Sequence, residues 1–300
     1  MKWFAVVFPL LSGALFGVSG AFVRTLTDFG MDNRTILSTR ALLAVALLGV
    51  GLAICNRSLL KIRPRDFWIF AASGLFGMLG LNLCYNEAIN GLTLSLAAVL
   101  LSLSPVFVIF LAAVFFGEKI TRRKLGCVGL ALVGCVLVSG VLEQATSMRW
   151  SSLGIVFGVL SGLFYALYSI FAKVATKRGY PALTITFYSL LVYALALLPF
   201  TDWNMVSMFV QAAPAWNTSF LLINAACTSV LPYIFYNLGF YYLEAGKASI
   251  LAGGSETVAA MLTGLVLYLE VPTVLSLLGI ALTVAALGLL CRPDTPKLDV

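Results

Sequence analysis

The chain has 300 residues, of which 61% are hydrophobic and only 10% charged, with a mean hydropathy of +1.03 and a formal net charge of +7. Soluble domains carry roughly 25% charged residues, so too few are present here to coat a water-facing surface, and no polar block is large enough for a soluble catalytic domain. The basic residues sit in short loops between apolar runs, a pattern of membrane topology that argues against a nucleic-acid surface.

Ten apolar runs of about the 20 residues needed to cross a hydrocarbon core are predicted at 4–25, 35–55, 67–90, 93–116, 123–142, 152–175, 182–200, 217–243, 247–269 and 273–291. Charge clusters, prolines and Gly/Asn/Asp turns separate them. The first follows Met1-Lys2-Trp3 and superficially resembles a signal peptide. Its apolar run continues to about Val23 without a small-x-small cleavage site, so it is expected to remain as a span. The second run contains Arg40, and the third ends in the polar stretch Asn82, Tyr85, Asn86 and Glu87, with Gly91 as the expected terminator. The fourth holds Ser104-Pro105 at its middle. Glu118 follows among Lys119, Arg122, Arg123 and Lys124, where it reads as a solvated loop pair. Small-residue spacings, as at Gly126–Leu130–Gly134 in the fifth run and in the first, are expected to let helices approach closely.

The sixth run offers Phe164, Tyr165 and Tyr168. The eighth is the most polar: Asn224, Thr228, Pro232 and Tyr236 recur every fourth residue, and Tyr233 and Asn237 form an adjacent row. Pro232 removes a backbone donor and frees the carbonyl one turn earlier, for substrate or for bending. The ninth run carries Glu256.

The chain is internally duplicated. Residues 12–24, SGALFGVSGAFVR, and residues 161–173, SGLFYALYSIFAK, both open on Ser-Gly and close on a basic residue, Arg24 or Lys173. With both termini in the cytoplasm, fifteen basic residues fall on the inside, among them Lys2, Lys61, Lys124, Lys173, Arg292 and Lys297. Only Arg24, Arg34 and Arg149 fall outside, and the positive-inside rule selects this orientation. Five spans per half is an odd number, so the second half enters the membrane from the opposite side. That is inverted-topology duplication, which places a substrate site near the midplane between the halves.

The later parts of the halves also correspond. Leu94–Leu137 aligns with Gly246–Leu289, so that Glu118 matches Glu270, and Ser104-Pro105 matches Glu256-Thr257. Small residues leading into a mid-helix Ser-Pro, a Gly-Glu closing the span and a glycine-spaced final helix resemble the EamA-type repeat of the drug/metabolite transporter superfamily, over essentially the whole chain. The resemblance implies an all-α polytopic membrane protein of ten transmembrane helices in two inverted five-helix repeats (1–145 and 146–300), with a central cavity and alternating access. It also implies movement of small metabolites such as amino acids, nucleobases or amphiphilic drugs, most often outward. There is one departure. The second repeat often reads Glu-Pro in this family, whereas Thr257 stands here, so a kink in the ninth span is not assured, although Gly253-Gly254 could loosen the same turn.

Glu256 is the sharpest candidate for substrate or coupling-ion binding. It lies roughly 13–14 Å along its span, near the middle of a core about 30 Å thick. There a carboxylate must face a wet cavity, a partner or a cation, or take up a proton. Ser104 is its counterpart in the first half. Glu87 and Arg40 are expected at comparable depth near the outer end, where they are predicted to pair as a clamp or an outer gate. Tyr165, Tyr168, Tyr233, Tyr236 and Asn237, with Asn82 and Tyr85, are expected to line the cavity, whose aromatic faces suit an organic, partly apolar solute or an ammonium group. Six cysteines without a CxxC pair, and no histidine at all, predict no metal and no cofactor. No catalytic set of residues is present, so no enzyme activity is expected. The expected function is export of a small organic zwitterion or cation across the inner membrane by a monomer or dimer, with membrane lipids and protons as its other partners. An uptake carrier, an exchanger and a non-transporting scaffold are the alternatives.

Overall fold

A computed structural model describes residues 4–92, 94–139, 141–142, 151–269 and 273–291, and every regular element among them is a helix. Lys2, Thr93, Arg149, Glu270, Arg292 and Lys297 lie outside the described residues. The helices are α1 (Phe4–Asp28), α2 (Asn33–Cys55), α3 (Pro64–Gly91), α4 (Leu94–Leu101), α5 (Ser104–Phe116), α6 (Arg122–Val138), α7 (Ser152–Lys177), α8 (Ala182–Leu197), α9 (Trp203–Ala212), α10 (Pro214–Tyr242), α11 (Ala245–Tyr268) and α12 (Val274–Cys291).

Side-chain caps start several of these helices where the sequence supplies a short polar residue. Asp32 accepts from Arg34 N (3.0 Å) and Thr35 N (3.3 Å) at α2, Ser151 from Gly154 N (3.2 Å) at α7, and Asp202 from Asn204 N (3.0 Å) and Met205 N (3.1 Å) at α9. Helix α9 was not expected from hydropathy. It is a ten-residue insertion in the connection before α10, and it buries Phe209 while leaving Trp203 and Met208 exposed.

Among the described residues eight helices are long and apolar enough to cross a membrane: α1, α2, α3, the combined Leu96–Phe116 segment, α7, Ala182–Phe200, α10 and α11. The predicted fifth and tenth spans are shorter than expected. Helix α6 has 17 residues and α12 has 18, so at 1.5 Å per residue each covers roughly 26 Å, slightly less than the hydrocarbon thickness. Large apolar side chains on the outer surface, such as Ile54, Val114 and Val266, are exposed, as a lipid-facing belt requires. The chain is a multi-pass membrane protein.

Two helices contain wider π-helical turns, Ser73–Leu79 in α3 and Ala226–Val230 in α10. The second lies just ahead of Pro232, where the missing backbone N–H relaxes the hydrogen-bond ladder. Packing pairs α1 with α10 and α11, and α7 with α3, α4 and α5. Helix α2 packs on α8, and α6 on α12. Glycines set the closest approaches. A Cβ on Gly13 would overlap Ala252 O and Ser255 Oγ, and one on Gly17 would lie 2.5 Å from Glu256 O, so α1 rests directly on the backbone of α11. Gly134 is in equally tight contact with Gly279 and Thr283 of α12, whereas Gly126 and Gly20 face open space.

Candidate functional site

Glu256 is the twelfth residue of the 24-residue α11, about 16 Å from its start. It is partly exposed within the helix bundle. No hydrogen bond or ion pair holds its carboxylate among the described residues. It interacts electrostatically with the hydroxyls of Tyr85 on α3, Tyr165 on α7, and Tyr233 and Tyr236 on α10. Three helices thus bring phenols toward one carboxylate on a fourth.

The aromatic groups form two layers. Tyr165 and Tyr85 are partly exposed like Glu256, while Tyr168, Tyr236 and Asn237 are fully buried behind them. Tyr168 packs edge-on to Tyr233 (5.1 Å between centroids) and stacks on Tyr236 (6.3 Å), which tilts against Tyr165 (6.1 Å). Asn237 Nδ2 donates to Tyr168 Oη (3.1 Å) and Thr186 Oγ1 (2.9 Å), and the Tyr236 hydroxyl pairs with Ser169 Oγ (2.9 Å). Tyr168, Tyr236 and Asn237 therefore act as a hydrogen-bonded backing that fixes the wall. Only Tyr85 and Tyr165 are left partly exposed with Glu256, while Tyr233 is buried.

Two other expected lining residues are engaged elsewhere. Asn82 Nδ2 donates to Met78 O one turn back (2.7 Å), at the π-helical turn. Ser104 is buried against α7, its amide 3.4 Å from where a Cβ on Gly162 would lie.

Among the described residues Arg40 and Glu87 form no ion pair in this arrangement, so the expected clamp or outer gate pair is not made here. The reason is the packing: α2 lies against α8 and α10, and α3 against α7. Arg40 consequently faces Tyr193 of α8 and Tyr233 of α10. Glu87 is exposed in a mouth of about 320 Å³ where α2 begins, with Asp32, Asn33, Arg34 and Asn86. Asn33 Nδ2 donates to Asn86 Oδ1 across that mouth (2.5 Å).

The basic end is stitched shut by groups that sequence reasoning missed. Glu118 is not a solvated loop residue. Its side chain is 9% exposed, and it accepts from Ala245 N (2.8 Å) and Gly246 N (3.4 Å), capping the first turn of α11 from another helix pair. A carboxylate there neutralises the exposed amides and the positive end of the helix dipole. Lys124 bridges Glu118 (3.8 Å) and Glu244 (2.5 Å) and donates to Lys119 O (3.0 Å). Lys173 reaches the last turn of α10, donating to Phe240 O and to Leu243 O (2.7 Å). Asp66 accepts from Arg178 and from the Tyr180 hydroxyl (2.7 Å), and Thr184 and Tyr188 bind Leu59 O and Leu60 O (2.7 and 2.6 Å). No local spacing announces these long-range pairs. The sequence signals were the basic cluster beside Glu118, which does supply its partner Lys124, and Lys173, a cation closing an apolar run.

A polar interior within an all-helical, lipid-compatible bundle defines a membrane transporter. The chain belongs to the EamA-like transporter family, whose model matches residues 3–140 and again 152–292. It is similar to an uncharacterized transporter of Archaeoglobus fulgidus, with 29% identity over 92% of each chain. It also resembles a protein of Streptantibioticus cattleyicolor named a "probable terminal-alkyne amino-acid exporter", 26% identical over 96% of this chain and 89% of that one. A pseudopaline exporter of Pseudomonas aeruginosa is 28% identical over 73% of each. One crystal structure superimposes with a TM-score of 0.73 at 14% identity, over 96% of this chain and 97% of its own, a likeness of fold alone.

Proposed function

We propose that the protein is a secondary transporter that exports a small amino-acid-like metabolite across the inner membrane by alternating access. The observation that carries the reading is the unpartnered Glu256 carboxylate, at mid-helix, facing phenols from three other helices. An ionisable group in that position marks a substrate or ion pathway. Two relatives named as exporters support the direction, and the one named a probable terminal-alkyne amino-acid exporter supports the class.

In this reading ten spans form two inverted repeats, 1–145 and 146–300, with both termini in the cytoplasm. Support comes from the packing, which keeps its form when the halves are exchanged: α1 on α10 and α11 mirrors α7 on α3, α4 and α5. The π-helical turns of α3 and α10 fall at corresponding positions. With the basic end inside, the stitched face is the cytoplasmic gate, and the state described is closed to the cytoplasm. Glu256 exchanges a proton for substrate during the cycle.

Transport of an amino-acid panel by proteoliposomes under an imposed proton gradient tests the reading. Gradient-driven movement of at least one compound is expected, with loss of the gradient response in Glu256→Gln. A full response in that variant removes Glu256 as the coupling group. A carboxy-terminal alkaline phosphatase fusion should be inactive and a fluorescent-protein fusion bright; the reverse pattern overturns the orientation.

A further inference from the structure

Arg40 lies seven residues into α2, about 11 Å along the helix, where a guanidinium in hydrocarbon costs several kcal/mol unless it is paired. No carboxylate pairs with it among the described residues. Its Nε is buried without a hydrogen-bond partner, and so is the hydroxyl of Tyr193, a residue only 3% exposed. The two side chains face each other, yet no hydrogen bond of acceptable geometry joins them. A guanidinium can only donate, whereas a phenol donates one proton and can accept through its oxygen. The phenol oxygen could accept from the guanidinium, but the Tyr193 proton and the Arg40 Nε–H are left without an acceptor, which is costly in an apolar interior.

Tyr233 connects this point to the carboxylate. Its hydroxyl interacts electrostatically with both Arg40 and Glu256. Its ring is held edge-on by Phe16 of α1 (5.0 Å) and by Tyr168 (5.1 Å). The interior is thus bipolar: a cation with a spare phenol on the α2–α8 side, a carboxylate with phenols on the α3–α7–α11 side, and Tyr233 between them.

We infer that Arg40 and Tyr193 form a carboxylate-binding subsite, so that the transported compound carries a free carboxylate held by Arg40 and an ammonium group turned toward Glu256 and the tyrosine faces. The inference rests on the transporter reading and narrows it to zwitterions. A carboxylate accepts from a guanidinium in a charge-assisted pair, and the second donor, Tyr193, completes its coordination. Phenol faces beside Glu256 suit the ammonium by cation–π attraction.

The test uses the full-length protein purified in detergent and three matched probe sets: the twenty L-amino acids, their methyl esters, and the deaminated carboxylic acids. Thermal stabilisation is titrated for each, and proteoliposome transport is measured with the same compounds. At least one amino acid is expected to stabilise the wild type, with its ester needing at least about tenfold higher concentration, the loss expected for one charge-assisted hydrogen bond. In Arg40→Gln this preference for acid over ester should vanish. Arg40→Lys should retain only part of it, because the planar fork is lost while the charge is kept. Tyr193→Phe, which removes one oxygen and keeps the packing, should shrink it severalfold and stands in if Arg40→Gln does not fold. Equal stabilisation by acids and esters, survival of the preference in the Arg40 and Tyr193 variants, or no stabilisation by any carboxylate-bearing probe overturns the subsite. If esters or neutral probes are nevertheless transported, the transporter reading survives without it. Absence of transport for every probe removes the reading on which it rests.

Discussion

The helix pair α4–α5 and the single helix α11 descend from matching stretches of sequence, yet one is broken and the other is not. In Leu94–Phe116 the helix is interrupted at Ser102–Leu103, ahead of Ser104-Pro105. In α11 the corresponding stretch passes through Gly254, Ser255, Glu256 and Thr257 without interruption, and Thr257 Oγ1 returns to Gly253 O (3.1 Å). Proline in the first copy cannot donate to the carbonyl one turn back, so the helix restarts there. Threonine in the second keeps that bond. The continuous helix is what lets α1 lie directly on its backbone through Gly13 and Gly17. In the other half Ala166 stands where Gly17 stands in the first, and at Gly162 of α7 an added Cβ would lie 3.1 Å from Leu100 O at the break, a looser fit than at Gly13. One half supplies the discontinuity, and the other supplies a rigid carrier for the carboxylate.

Four changes break or sharpen this contrast. Thr257→Pro should recreate the break in α11 and cost more than about 3 kcal/mol, seen as a large fall in the thermal midpoint in detergent; an unchanged midpoint would mean that α11 is already discontinuous there. Gly13→Ala drives a methyl group into Ala252 O and Ser255 Oγ and should cost about 2–3 kcal/mol by overpacking. Glu118→Gln removes the charge that caps α11 and should cost about 1 kcal/mol. In proteoliposomes the same variant should also raise the rate of opening at the basic end, read as faster labelling of a cysteine introduced at Ala245, which is buried in this structure. Gly162→Ala is the smallest change. The nearest atom to its Cβ would be Leu100 O at 3.1 Å, so a few tenths of an ångström of adjustment suffices and the expected loss is under about 1 kcal/mol. Equal effects at Gly13 and Gly162 would contradict the asymmetry of the two contacts.

Much of the fold was legible because lipid constrains every residue along a span. Most predicted boundaries lie within a few residues of the observed helices: 35–55 against Asn33–Cys55, 152–175 against Ser152–Lys177, 247–269 against Ala245–Tyr268. The amphipathic α9 was missed because ten half-polar residues in a connection leave no apolar run to detect. The site was legible in part. Glu256 and the tyrosines declared themselves as polar groups inside apolar runs, and Tyr85, Tyr165, Tyr233 and Tyr236 do gather near the carboxylate. Which of them face inward and which form the backing was not legible, since helical spacing gives a face but not its neighbour. Pairing Arg40 with Glu87 rested on equal depth alone, and depth says nothing about which helices touch.

The sequence by itself determined that this chain is a duplicated, helical membrane protein with a lone mid-span carboxylate, because hydropathy, charge bias and repetition are properties of consecutive residues. Only the tertiary structure decided the partners: Glu118 with an amide 127 positions away, Lys173 with carbonyls of α10, Arg40 with Tyr193. In a bundle of similar apolar helices many pairings bury equal area, and the choice falls to small-residue contacts such as Gly13 on Ala252 and Gly134 on Gly279. Those contacts form between segments far apart in the chain, so no local pattern records them.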